Sequence, residues 1–247
     1  VPTVLVTGGS RGIGAATAGL FAANGWDVAI SYRQEADAAA EVVARCRAAG
    51  VRATACRADV ADEADVVALF EHVDAELGPL RAFVGNAGIV GPRARVDELD
   101  GARLERMFRV NAIGAFVGAR EAVRRMSTRH GGAGGSIVFV GSIASRVGSP
   151  GEYVDYAASK AAVDTLTLGL AKEVADEGIR VNCLRPGIVE TDIHASGGQP
   201  DRAERLRHLI PMQRPGRVDE IAAAAYWLAS DAASYVTGVL LDAGGGR

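Results

Sequence analysis

Short apolar runs rich in Val, Ile and Ala recur along the chain, and each is followed by a longer amphipathic stretch. The strand candidates are Val4–Val6, Val28–Ile30, Val51–Ala55, Ala82–Val84, Ile137–Val140, Arg180–Leu184 and Val239–Leu241. Helical patterns occupy Gly12–Asn24, Ala36–Ala49, Glu63–Leu77, Arg103–Arg129, Tyr153–Glu177 and Asp219–Ser230. Strands that read as unbroken β-branched runs are buried on both faces, which requires a parallel sheet with helices on either side. Right-handed crossovers then predict an α/β, doubly wound sheet forming a single domain over 1–247. The GGAGG tract at Gly131–Gly135 reads as a helix-to-strand loop, because the alternation continues beyond it. The one long polar interruption, Thr191–Pro215, reads as a substrate flap carrying a short helix.

Composition narrows the functions this fold can serve. Hydrophobic residues make up 49% of the 247 and charged residues 23%, enough for a large core. With 27 basic and 30 acidic residues the net charge is −3, which gives neither the basic stripe of a nucleic-acid binder nor affinity for anionic membranes. No apolar run approaches the roughly 18 residues of a membrane span, and no basic leader precedes the first strand. The three cysteines (Cys46, Cys56, Cys183) and four histidines (His72, His130, His194, His208) are scattered, so no metal is expected. Inert thiols point to a cytoplasmic location.

Between the first strand and first helix stands Thr7-Gly8-Gly9-Ser10-Arg11-Gly12-Ile13-Gly14. Glycines here permit positive φ and close backbone approach, and the helix N-terminus offers free N–H groups to a pyrophosphate. At a strand-to-helix turn this is the dinucleotide site of a Rossmann-type fold. A second pair has chemical meaning. Tyr156 and Lys160, four apart, share one helix face, and the chain has only one other lysine, Lys172. A free phenol with a pKa near 10 is a poor base at neutral pH; a neighbouring ammonium lowers it towards the working range.

These features occur in the order found in the short-chain dehydrogenase/reductase family, which the chain resembles over nearly its whole length. TGxxxGxG appears as Thr7–Gly14, and Asn86-Ala87-Gly88 follows the fourth strand. Asn111 lies on the long fourth helix, and Ser142 follows the fifth strand. Tyr156–Lys160 opens the fifth helix, and Pro186-Gly187-Ile188-Val189-Glu190-Thr191 follows the sixth strand. The resemblance implies a hydride-transferring oxidoreductase acting on a small carbonyl or secondary alcohol. Tyr156 would be its acid/base, Ser142 would bond the reacting oxygen, and Lys160 would serve both the phenol and the nicotinamide ribose. Asn111 would relay to Lys160 through water. Asp59 and Val60 would border the adenine, Asn86–Gly88 the adenosine side, and Pro186–Ile188 with Thr191 the nicotinamide. Ser145 is a rival to Ser142, and Tyr153 reads as packing or substrate wall. Relatives commonly form homotetramers, and the small and apolar residues all round Tyr153–Glu177 suit such packing.

The second strand ends Ile30-Ser31-Tyr32-Arg33, without the acid that bonds the ribose 2′-hydroxyl in NAD-preferring sites. Tyr32 stands in that acid's place. Arg33 and Arg11 are positioned to hold a 2′-phosphate, so NADP(H) is expected over NAD(H). A 3-oxoacyl substrate is the broadest expectation from the resemblance, with a glucose-type sugar as the alternative. A non-catalytic redox sensor on this fold would be expected to have lost Tyr156 or Lys160. An enoyl reductase would typically shift their spacing.

Overall fold

A computed structural model describes residues 1–191 and 197–247. The expected flap falls partly on 192–196, and those residues, with His194 among them, lie outside the described residues.

Seven strands form one parallel sheet in the order β3-β2-β1-β4-β5-β6-β7. They are β1 (Thr3–Val6), β2 (Asp27–Tyr32), β3 (Ala53–Arg57), β4 (Leu80–Gly85), β5 (Gly135–Val140), β6 (Ile179–Pro186) and β7 (Leu240–Ala243). Residues alternate between two buried faces. Val4 and Val6 of β1 and Val138 and Val140 of β5 enter one core. Their neighbours Leu5, Ile137 and Phe139 enter the other. Full burial of one such side chain contributes roughly 1.5–3 kcal/mol, so a one-residue slip of register would exchange the two cores at prohibitive cost.

The first core is closed by α1 (Gly12–Ala23), α2 (Ala36–Ala48) and α9 (Val218–Ala229). Phe21 meets Trp26 and Tyr226 edge-on at centroid distances of 5.1 Å. The second core lies under α3 (Glu63–Leu77), α5 (Gly114–Met126) and α7 (Val154–Glu173). Among the described residues, the remaining helices are α4 (Gly101–Phe108), α6 (Ala144–Val147) and α8 (Arg202–Arg205). Among the described residues, no helix is long and apolar enough to cross a membrane.

Three expectations shift. The helix expected over Arg103–Arg129 is α4 and α5 joined by a π turn at Arg109–Ile113, and a local widening of this kind often marks a functional position. The helix expected over Tyr153–Glu177 begins after Tyr153, whose backbone is non-helical, and ends in a separate 3-10 turn at Ala175–Glu177. Nor is α7 buried all round within the chain, for Leu168 is 40% exposed. Within the expected flap, α8 and a 3-10 turn at Arg207–Leu209 supply the short helical segment.

Candidate active site

Strand order reverses at β1 and β4, and the loops leaving their C-terminal ends diverge to open a crevice. The glycine turn borders it. Gly8 and Gly12 have φ of 63° and 54°. A Cβ on Gly8 would lie 3.0 Å from the Ala87 Cα, and one on Gly14 would strike the Gly8 carbonyl oxygen. Asn86 fastens this turn to the β4 loop, its Nδ2 donating to the carbonyls of Thr7 (2.9 Å) and Gly8 (3.1 Å). The Thr7 hydroxyl accepts from the Asn86 and Ala87 backbone N–H groups at 3.0 and 3.1 Å. Asn86 is therefore a brace for the turn as well as a wall of the crevice.

The crevice has two adjoining lobes. One is lined by Gly8, Ser10, Arg11, Gly12, Ile13 and Gly14, by Tyr32 and Arg33, by Asp59 and Val60, and by Asn86, Ala87 and Gly88. Every nucleotide-side residue expected from the sequence is thus on one surface. The other lobe is lined by Ser142, Tyr156 and Lys160, together with Pro186, Gly187 and Ile188. Thr191 and Gly88 border both. The β6 loop is tied down on two sides, Ile143 N–H donating to the Pro186 carbonyl and Gly187 N–H to that of Ala243, each at 3.0 Å.

Burial holds the Tyr156 phenol above its ordinary pKa, and the neighbouring Ser142 hydroxyl works against that shift. From the sequence, Lys160 and the positive nicotinamide of an oxidised cofactor are together expected to lower the phenol. Lys160 Nζ lies 5.9 Å from the Tyr156 ring centroid and donates to the Val140 carbonyl at 2.8 Å. Burial brings Lys160 down to about 8, opposed by the negative charge of Asp164. The rival serine is turned aside: Ser145 Oγ donates to the Ser142 carbonyl at 2.7 Å and does not line either lobe.

Asn111 sits on the π turn, behind Lys160 rather than in the open crevice, and both line a small internal cavity. Its Oδ1 accepts from Ile89 N–H at 2.8 Å, and its Nδ2 lies 2.9 Å from the Ile89 carbonyl and 3.0 Å from Ser159 Oγ. Ser159 in turn donates to the Tyr156 carbonyl at 2.7 Å. A Cβ on Gly88 would lie 3.2 Å from Lys160 Nζ and 3.3 Å from Asn111 Oδ1, so the absence of a side chain there lets both groups approach the backbone.

Sequence reasoning missed several contributors. Arg106 lines the nucleotide lobe and bonds Asp59 Oδ2 at 2.9 Å, while Arg33 Nη1 stands 4.0 Å from the same oxygen. Burial opposes the ionisation of Asp59, but the Ala61 N–H and these cations prevail and hold its carboxyl below the usual value. Arg202 lines the other lobe, beside the Tyr153 expected from the sequence as packing or substrate wall. The Asp59–Arg106 contact spans 47 residues and leaves no trace in local spacing. Among so many arginines Arg202 had no distinguishing mark. Among the described residues, no group of three His, Cys, Asp or Glu side chains could hold a metal ion.

A glycine turn at the topological switch point, continuous with a lobe carrying Ser, Tyr and Lys, defines a dinucleotide-binding oxidoreductase. A family model described as Enoyl-(Acyl carrier protein) reductase matches residues 8–247. An uncharacterized oxidoreductase, YgfF, of Escherichia coli (strain K12) is 54% identical over 243 residues, 98% of each chain. A 3beta-hydroxysteroid dehydrogenase of Eggerthella lenta is 41% identical, with 99% of this chain and 92% of that protein covered. A cis-4-hydroxycyclohexanecarboxylate dehydrogenase of Sinomonas cyclohexanicum is also 41% identical, with 98% and 94% covered. A short chain dehydrogenase from Burkholderia cenocepacia, solved in complex with NADP, superposes with a TM-score of 0.89 at 36% identity, covering 99% and 97%. The chain belongs to the short-chain dehydrogenase/reductase family.

Proposed function

We propose that the protein interconverts a ketone and a secondary alcohol with NADP(H) as the preferred cofactor. The observation that carries this reading is the convergence of Ser142, Tyr156 and Lys160 on one lobe that opens directly onto the glycine turn. The turn fits a dinucleotide, since Gly8 and Gly12 hold φ of 63° and 54° and line the crevice, and a Cβ on Gly12 would meet only Thr191, at 3.8 Å. Arg11 and Arg33 border the same lobe, where they would hold a 2′-phosphate. The NADP-bound Burkholderia relative supports that preference.

When bound, the nicotinamide supplies the hydride for reduction and accepts it for oxidation. Tyr156 donates its proton to the carbonyl oxygen; burial favours the protonated phenol that this step needs. Ser142 hydrogen-bonds the same oxygen as charge develops on it. Lys160 remains an ammonium at neutral pH and stabilises the phenolate left behind. Asn111 is a positioning residue, holding the Ile89 backbone and, through Ser159, the first turn of α7.

The three cysteines are unpaired, which suits the reducing cytoplasm expected from the sequence. Leu104 on α4, Phe116 on α5 and Leu168 on α7 leave large apolar side chains exposed, which supports assembly into a homotetramer.

The test is turnover of NADPH and NADH against a panel of carbonyl compounds, repeated with Tyr156→Phe. The variant is expected to lose at least about 100-fold in kcat, the scale of general acid catalysis, while still binding NADPH in a fluorescence titration. A variant retaining near-wild-type kcat would refute the assignment.

A further inference from the structure

Arg202, at the start of α8, lines the same lobe as Ser142 and Tyr156. Its side chain is only 10% exposed, and its surroundings satisfy one half of the guanidinium and not the other. Nη2 donates to Glu152 Oε2 at 2.6 Å. The plane rests over Tyr153, with Cζ 4.9 Å from the ring centroid. Nη1 is out of solvent and has no hydrogen-bond partner; it is the one buried side-chain nitrogen or oxygen in this condition among the described residues. A buried cationic N–H without an acceptor is costly, and such groups are rare in native proteins. The arrangement is stable where a ligand supplies the acceptor.

We propose that Arg202 anchors a carboxylate on the substrate, so that the preferred substrate class is an oxo acid or its hydroxy acid. This rests on the oxidoreductase reading above. Charge selects the class of anion. Arg202, Arg93, whose Nε lies 3.9 Å from Glu152 Oε1, and Arg205 all act on the single Glu152 carboxylate, so positive charge is in excess there and an anion is favoured. The hydrogen bond from Arg202 leads the influences holding Glu152 below its usual carboxylate range, and that charge in turn fixes the guanidinium. Tyr153 adds a second donor: its hydroxyl accepts from Gln199 Nε2, which leaves its own hydrogen for a ligand oxygen.

Position sets the size. Arg202 stacks on the ring of Tyr153, three residues before Tyr156, and all three line one lobe. The anchor is therefore within reach of a short chain or a single ring whose carbonyl sits at Tyr156. A 3-oxoacyl thioester and a glucose-type sugar carry no anion at that distance, so Arg202 favours the acid over both.

The decisive experiment compares oxo acids of graded length and 4-oxocyclohexanecarboxylate with their methyl esters, and with an acetoacetyl thioester, using NADPH. Wild-type kcat/KM is expected to favour at least one acid over its ester by about tenfold or more. Arg202→Met should lower kcat/KM for that acid by roughly 10- to 150-fold, mainly through KM, because the anchor is remote from the reacting oxygen. Turnover of the ester should fall much less than that of the acid, and Arg202→Lys should recover only part of the loss. Equal use of acids and esters by wild type, or equal losses for both in Arg202→Met, overturns the proposal and leaves the oxidoreductase reading intact. Calorimetry on the NADP-loaded wild type tests the same point without turnover and without a variant that must fold. Cyclohexanecarboxylate should bind at least about tenfold more tightly than its methyl ester, and equal affinities overturn the anchor. Carboxylate binding with no turnover of any carbonyl on either cofactor would support the anchor while removing the oxidoreductase reading.

Discussion

Replacing Arg33 with Ala removes one of three guanidiniums that border the nucleotide lobe, the others being Arg11 and Arg106. A charge-assisted bond to a buried phosphate contributes about 1.5–3 kcal/mol, a factor of roughly 10 to 150. Two features of the structure pull the expectation to the lower end. The Arg33 side chain is 45% exposed, so water screens it, and it already shares Asp59 with Arg106 at 4.0 Å. The KM for NADPH should rise about tenfold, with that for NADH little changed because it has no 2′-phosphate. Asp59→Asn works in the opposite sense. It frees Arg33 from its partner and removes a negative charge facing the phosphate, so the NADPH/NADH ratio of kcat/KM should rise by about two- to fivefold. Any weakening of adenine binding in this variant affects both cofactors alike and cancels in that ratio. The assay is steady-state kinetics with both cofactors at one fixed carbonyl concentration. A wild type that prefers NADH, or an Arg33→Ala ratio that does not move, would reduce Arg33 to a surface residue.

Lys160 should leave a signature in stability as well as in rate. Its pKa falls from 10.5 to about 8 on burial, so between those values the unfolded chain binds more protons and stability rises with pH. The destabilisation, about 3 kcal/mol, is fully present below about pH 8 and relieved towards pH 10.5. Denaturant unfolding should therefore show Lys160→Met more stable than wild type at pH 7, with the gap closing as pH rises; a constant gap would mean that the amine is not desolvated. Sedimentation velocity should find a tetramer at micromolar protein, and Phe116→Glu should dissociate it; a monomeric wild type would rule out the interface assigned to α4, α5 and α7.

The fold was legible because each strand had to satisfy two cores at once. Runs such as Ile137–Val140 carry no polar side on which a strand could face water, and the sheet places alternate residues in different cores as that pattern requires. Boundaries were less legible. The edge strand β7 is only half-buried and runs from Leu240 to Ala243, so hydrophobicity alone placed it too early. The division of the Arg103–Arg129 helix at Asn111 was invisible because a π turn needs no glycine or proline, only the capture of Ile89 by the asparagine amide.

On the chemistry, what the sequence disclosed depended on how far apart the partners stand along the chain. Tyr156 and Lys160 are joined by helical periodicity, and the glycine turn is contiguous, so both could be found by spacing. Asp59 with Arg106, and Glu152 with Arg202, are assembled only by topology, across 47 and 50 residues. Such pairs consist of the commonest charged side chains, and before folding nothing separates them from an ordinary solvated surface. What marks Arg202 is a hydrogen-bond imbalance: one nitrogen of its guanidinium holds Glu152 and the other has no acceptor. That property belongs to the packed structure, which is why the motifs that carry the family resemblance could be read from spacing while the anchor proposed for the substrate rests on the arrangement of α8 over Tyr153.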